Sequence, residues 1–302
     1  MNDFLRKTAV RLVMAALAVG LIFGVWNLVI FAFDLKAYAL PTPQDSVATI
    51  YDRWSTYQPL MVQTIKETVY GFLIGSAIGF FLAVVMSASK LVQRLVYPAL
   101  ITSQAIPVVA IAAPLAILLG FGLVTKLVIV ALWVFFPVTV NVLDGLARVD
   151  RDLLNLARVM GAKRTRTFLA IQLPATLSPL FSGLKIGATY AVTAAVIGEW
   201  VASLQYGLGT YLQTAAASLD ARGVLGATIL LTLIGITLFL VVTAIGVVAT
   251  PWERRSTARR RTRFAGEMVA VHSGSDSDRK GVRRWFGSSP AGSRSESQSR
   301  PR

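Results

Sequence analysis

Six stretches of the chain run predominantly apolar, at about 11–33, 62–86, 98–119, 124–143, 180–202 and 223–249, and each is bounded by charge, proline or glycine. A hydrocarbon core about 30 Å thick takes roughly 20 apolar residues per helix. The pattern therefore predicts an all-α membrane protein with six transmembrane helices. Between the fourth and fifth stretches, over 144–179, the pattern changes. Leu153, Leu156, Ala157 and Met160 fall at i, i+3, i+4 and i+7, one apolar stripe on a helix, with Arg151, Arg158 and Lys163 on its other sides. Gly161 is expected to stop that helix, because glycine reaches positive φ without a Cβ penalty. Arg164, Arg166, Phe168 and Ile171 then start a second short helix, which Pro174 is expected to end. From the residues alone this hairpin either rests on the lipid surface or docks on a partner.

The connections are otherwise short. Leu40-Pro41-Thr42-Pro43 reads as an extended turn, followed by an interfacial helix over Asp45 to Trp54. Tyr206-Gly207-Leu208-Gly209-Thr210 is expected to cap the fifth span. Its Gly-x-Gly is too short a signal to mean phosphate binding, and no Gly-Lys-Ser/Thr occurs anywhere in the chain. Any use of ATP must then come from another subunit. The first span follows Arg6, Lys7 and Arg11 like a signal peptide, but it is too long and leads into further spans, so it is expected to stay uncleaved.

Composition supports the membrane reading. Of 302 residues 55% are hydrophobic and 15% charged, with mean hydropathy +0.62, whereas soluble domains carry about 25% charged residues. With no cysteine and the single His272 in a polar tail, disulfides, a multi-histidine metal site and thiol chemistry are excluded. No catalytic constellation, metal site or cofactor is expected. The net charge of +15 divides into +8 for the Ser/Arg-rich residues 251–302 and +7 for the rest. Such a tail cannot bury a core and reads as a disordered, basic cytoplasmic extension attracted to anionic headgroups, not as a nucleic-acid-binding domain.

Lys and Arg also set the orientation. With residues 1–10 inside, the inner pieces hold 24 of them and the outer connections and span ends five: Lys36, Arg53, Lys66, Lys126 and Arg222. Both termini are expected in the cytoplasm, flanking a transmembrane domain over 11–250.

Inside the spans, Gly71, Gly75, Gly79 and Ala83, and Gly183 with Gly187, recur at four-residue spacing and suit close helix packing. Pro107 and Pro114 in the third span and Pro137 in the fourth kink or unwind their helices, either for packing or to line a path. Gln104 and Asn141 nearby are candidate polar liners. Lys185 and Glu199 are charges in the fifth span, about 21 Å apart along a helix, too far to pair. Lys185 can snorkel to the interface, and Glu199 is a candidate for an outer gate or a dimer contact.

The run Ala157-Arg158, Gly161-Ala162, Phe168, Ile171-Gln172-Leu173-Pro174, Gly183-Leu184-Lys185 and Glu199-Trp200 resembles the cytoplasmic loop and following helix of ABC-importer permeases. Leu40-Pro41-Thr42-Pro43 is similar to the family's Leu-Pro-Ser-Pro. Gln104-Ala105-Ile106-Pro107 through Ala113-Pro114-Leu115, with Gly120-Phe121-Gly122 behind it, resembles the third span of the nitrate/sulfonate/taurine subgroup, which includes thiamine-precursor and riboflavin permeases. The likeness covers about 35–250. It implies a type I importer fold of a bacterial cell membrane, with 153–162 (Leu153, Leu156, Ala157, Arg158, Met160, Gly161 and Ala162) as a coupling helix seated on an ATPase. It further implies two ATPase subunits, an extracytoplasmic binding protein and a second permease copy. The family's Glu-Ala-Ala is here Asn155-Leu156-Ala157, so the acidic contact with the ATPase is missing or supplied differently. The rival from another class is a secondary transporter or channel that needs no motor; it would leave the hairpin without a use.

Overall fold

The computed structural model describes residues 40–202 and 206–251, together with 23–34 and a few single positions before residue 37. Among the described residues every regular element is helical: α1 (Phe23–Ala32), α2 (Pro43–Asp52), α3 (Trp54–Ala88), α4 (Lys90–Ser103), α5 (Val108–Leu119), α6 (Leu123–Ala147), α7 (Arg151–Val159), α8 (Arg164–Thr167), α9 (Leu173–Ala202), α10 (Leu208–Ala217) and α11 (Ala221–Ala249). Four helical stretches are long and apolar enough to cross a membrane, and α4 with α5 makes a fifth if that bent pair is one span. Part of the expected first span (residues 11–33), residues 1–10 and the tail from 252 lie outside the described residues.

The centre of the bundle is α6, clamped between α3 and α9. Its Val130, Val134, Val138 and Val142, one per turn, are fully buried. Lipid gives helices no hydrophobic reason to associate, so packing must come from close approach. A Cβ added at Gly75 would lie 2.7 Å from the Ala131 carbonyl oxygen, and one at Gly79 2.5 Å from that of Phe135. From the other side, a Cβ at Gly183 would meet the Pro137 oxygen at 2.8 Å. The two glycine rows are thus the surfaces on which α3 and α9 touch the backbone of α6.

Two expectations are corrected. The third span, 98–119, is expected to kink or unwind at both Pro107 and Pro114, but it breaks only at the first, where α4 and α5 meet at 99° across residues 104–107. Proline disfavours helical geometry at the residue before it, so Ile106 cannot continue α4, and Pro107 (φ −59°, ψ 120°) instead begins α5. Pro114 lies within α5 and does not break it. The second correction concerns Pro174, which does not end a helix. Arg164 to Ala202 is one continuous 39-residue helical rod, with a π segment at Phe168–Gln172 just before the proline. There the Leu173 N–H bonds back to the Phe168 carbonyl. This wider turn accommodates the missing N–H and bulky ring that would disrupt a regular α-turn.

The spans also run longer than their apolar cores. The helix α3 begins at Trp54 rather than near 62, and α9 at Leu173 rather than near 180. The interfacial segment forms α2, which starts at Pro43 behind Thr42, whose hydroxyl accepts from the Asp45 N–H at 3.2 Å.

Candidate functional site

Two constructions at opposite ends of α6 carry polar chemistry. At one end, a three-residue turn after α6 leads into α7. Asp150 caps α7 by accepting from the Asp152 N–H at 2.9 Å, while Asp152 and Arg158 sit at its favourable ends. Gly161, at φ +78°, closes it with two bonds of 2.9 Å: the Ala162 N–H to the Ala157 carbonyl and the Gly161 N–H to the Arg158 carbonyl. That double bond pattern is a Schellman motif. No residue of α7 is buried. Leu153 is 51% exposed, Leu156 56% and Met160 77%, with Val159 beside them at 85%. The stripe therefore leaves its apolar face uncovered, while Ala157 and Ala162 are half-buried. A cavity of about 430 Å³ opens between the Val84–Ala88 end of α3 and this hairpin, lined in part by Leu154, Arg158, Phe168 and Gln172.

At the other end lies a buried charged cluster. Lys126 on α6 donates to Glu67 Oε1 on α3 at 2.7 Å, with both side chains essentially inaccessible. Gln63, one turn earlier on α3, donates to the same oxygen at 2.7 Å. Glu199, fully buried on α9, accepts from the Thr64 hydroxyl at 2.6 Å and from the Thr210 N–H at 3.0 Å. Thr64 in turn accepts from the Leu208 N–H at 3.0 Å. The first turn of α10 is thereby held by Glu199 directly and by α3 through Thr64. The Gly-x-Gly of 207–209 does cradle a carboxyl group, that of the chain's own Glu199. A Cβ at Gly207 would collide with that group, and one at Gly209 would stand 3.0 Å from Oε2.

Beside this cluster, Arg53 pairs with Asp220 and donates to the Tyr211 hydroxyl at 3.1 Å. The Tyr57 hydroxyl donates to the Gly223 carbonyl at 3.1 Å. The Asp220 carboxyl is held below the usual carboxylate range, first by the hydrogen bond from Arg53. These contacts tie the α2–α3 junction to the start of α11.

The candidate path residues do not form one site. Gln104 and Pro107 lie exposed in the α4–α5 break. Asn141 spends its amide on the Pro137 carbonyl of its own helix at 2.8 Å. It stands about 22 Å along α6 from Lys126, at 1.5 Å per residue, so it is remote from Glu199. Lys126, counted with the charges of the outer span ends, is buried and paired rather than open to water. Glu67 was not singled out. The signal for both was present: opposite charges set one turn or more inside two apolar helices, where a lone charge is costly.

Residues 75–255 match the family of binding-protein-dependent transport system inner membrane components. The chain is 33% identical over 234 residues, 76% of its length and 94% of the relative's, to a probable ABC transporter permease protein of Haemophilus influenzae. It is 32% identical to the formylaminopyrimidine transport permease protein of Halalkalibacterium halodurans, over 73% of this chain and 88% of that one. To the riboflavin transport system permease protein of Chloroflexus aurantiacus it is 33% identical over 53% and 60% of the two chains. The chain belongs to this family of binding-protein-dependent permeases: it is a multi-pass membrane component of an ABC transporter. The resemblance read from the 157–200 run and the third span is borne out.

Proposed function

We propose that this permease imports a small solute and is driven through the α7 hairpin by separate ATPase subunits, in a type I arrangement of six spans with both termini cytoplasmic. One observation carries the reading: an apolar helix face left largely uncovered, yet fixed in direction by a Schellman turn and by the ends of two spans. A loop that merely rested on lipid would need no such fixed geometry. Leu153, Leu156, Ala157, Arg158, Met160, Gly161 and Ala162 form the surface offered to the ATPase, and a second permease copy completes the path. Orientation rests on the Lys/Arg contrast between the two sides. Glu199 acts from the outer end, while Gln104 and Pro107 at the α4–α5 break, with Asn141 deeper on α6, are the polar and irregular positions open to the path.

For the solute we favour a vitamin-type heterocycle, a thiamine-precursor pyrimidine or a flavin, because two relatives carry those names and the third-span motif resembles that branch. Sulfonate, nitrate or taurine is the alternative. The test is co-expression with the ATPase and binding protein encoded alongside, followed by uptake of labelled formylaminopyrimidine, riboflavin and taurine into vesicles. ATP-dependent uptake of one of the first two supports the reading. Taurine uptake alone would move the solute, and uptake without any ATPase would overturn the motor. In intact cells a cysteine placed at exposed Ser218 should react with an impermeant thiol reagent and one at exposed Thr165 should not.

A further inference from the structure

The hairpin and the buried charged cluster are joined by two unbroken rods. From Lys126 to Arg148 the chain is a single helix, about 33 Å long at 1.5 Å per residue, and Asp150 then opens α7. The other arm of the hairpin begins at Arg164 and runs as one 39-residue helical rod past Glu199. The hairpin thus joins one rod through the short turn between α6 and α7 and is continuous with the other through α8, and the far ends of the two rods carry Lys126 and Glu199. There the rods touch, because the Lys126 stem lies in van der Waals range of the position a Cβ would take at Gly198. On α3, Glu67 holds the first rod and Thr64 the second.

This cluster is poorly arranged for stability alone. Both donors to Glu67 share Oε1, leaving its buried Oε2 with no hydrogen-bond partner among the described residues. Two carboxylates also face one lysine. A buried ion pair is often replaceable by apolar packing without loss, so its presence calls for another use.

We propose that Glu67, Lys126 and Thr64 are positioning residues which, with Glu199, lock α3, α6, α9 and the first turn of α10 into one body, so that movement at the hairpin is delivered across the membrane to α10. Continuous helices supply the stiffness, and the cluster supplies the cross-link that stops the rods sliding independently. Among the described residues α10 is also held to α9 by the Trp200 Nε1–H bond to the Gly209 carbonyl at 2.8 Å and shares an apolar cluster with Tyr57 and Leu230; the polar cluster adds the ties to α3 and α6, so that α10 follows both rods together. The inference rests on the ATPase-driven reading above and adds the route.

The chain has no cysteine, so one introduced at Ser218, just beyond α10, reports on the far side alone. In the complete transporter in nanodiscs, trapping the ATPase with ATP and vanadate should change the labelling rate of that cysteine about fivefold or more, the lower end of ordinary site-to-site coupling. In Glu67→Gln/Lys126→Met, which removes the pair together and leaves Glu199 its bonds from Thr64 and Thr210, the ATPase should still trap but the labelling rate should change clearly less than in the parent. Thr64→Val, similar in shape but lacking the hydroxyl, should weaken the response in the same direction and decides the matter if the double variant does not assemble. A full response in an assembled variant, or none in the parent with its ATPase trapped, overturns the proposal. Failure of the parent to bind any ATPase would instead remove the motor reading on which it rests.

Discussion

Replacing Gly161 by valine tests whether the hairpin needs its fixed direction. The glycine stands at φ +78°, and nothing lies within 4 Å of where a Cβ would be. Steric collision with the rest of the protein is therefore not the issue, and the cost is confined to the backbone. A left-handed conformation costs an L-residue about 1–2 kcal/mol, and a β-branched side chain sits at the upper end or beyond. At about 2 kcal/mol the ratio of closed to open turns falls roughly 30-fold. Opening also breaks the two 2.9 Å bonds from the Gly161 and Ala162 N–H groups, which re-aims Leu153, Leu156 and Met160. The assay is ATPase recovered per permease on co-purification, alongside ATP-driven uptake in vesicles. Gly161→Val should insert normally, recover much less ATPase and transport weakly. Gly161→Asn is the control, since asparagine enters the left-handed region far more readily, and it should behave close to the parent. A valine variant that keeps its ATPase and imports at the parental rate would refute the reasoning, because the bundle would then be driven without a fixed hairpin.

Other predictions concern packing and pH. Gly75→Ala should destabilise the bundle by about 1–3 kcal/mol, because its Cβ would press on the Ala131 backbone at 2.7 and 2.9 Å; Gly235→Ala, whose Cβ would meet only Val192 at 3.6 Å, should be harmless. Thermal aggregation midpoints in detergent compare the two. The Asp220 carboxyl is held low by Arg53, so its contribution is complete above the ordinary Asp range and is lost only as pH falls through the lowered value. The pair is partly exposed, which limits it to about 0.2–1 kcal/mol. Asp220→Asn should therefore cost little at pH 7, and nothing relative to the parent once the pH has fallen through the lowered value and the parent's own Asp220 is protonated; a larger gap at low pH than at neutral pH would contradict the assignment.

The helical architecture was legible because membrane helices announce themselves by length and apolarity, and the four-residue glycine rows marked the faces on which helices approach closely, though not that α6 is the partner of both rows. Helix ends were less legible. Polar residues such as Gln58, Gln63 and Lys66 dilute the apolar signal at the start of α3, yet a helix continues through them as long as its backbone bonds are satisfied. Proline gave two opposite outcomes for a physical reason. At Ile106-Pro107 the preceding peptide has no alternative bonding and the chain turns by 99°. At Leu173-Pro174 a π segment takes up the steric conflict and the rod continues. A reading by residue type alone cannot separate these, since the difference lies in the hydrogen-bond register of the turn before each proline.

The same limit explains the charged cluster. Lys126 and Glu67 are far apart in sequence, and each taken alone looks like a span-end charge able to reach water. Only the packing of α3 against α6, dictated by Gly71 and Gly75, puts them on facing surfaces and leaves them a 2.7 Å bond. Glu199 reads as a gate candidate from its position near a span end, but its partners, Thr64 and the Thr210 N–H, come from two other helices. The weak Gly-x-Gly signal at 207–209 was informative once its carboxyl group was known, because the two glycines make room for a side chain only a few residues upstream. Taking Lys126 out of the outer span-end count also sharpens the Lys/Arg contrast that sets orientation, since a lysine committed to a buried carboxyl group no longer faces water at that end. The residue that counted against the topology is thus part of the cross-link between the spans.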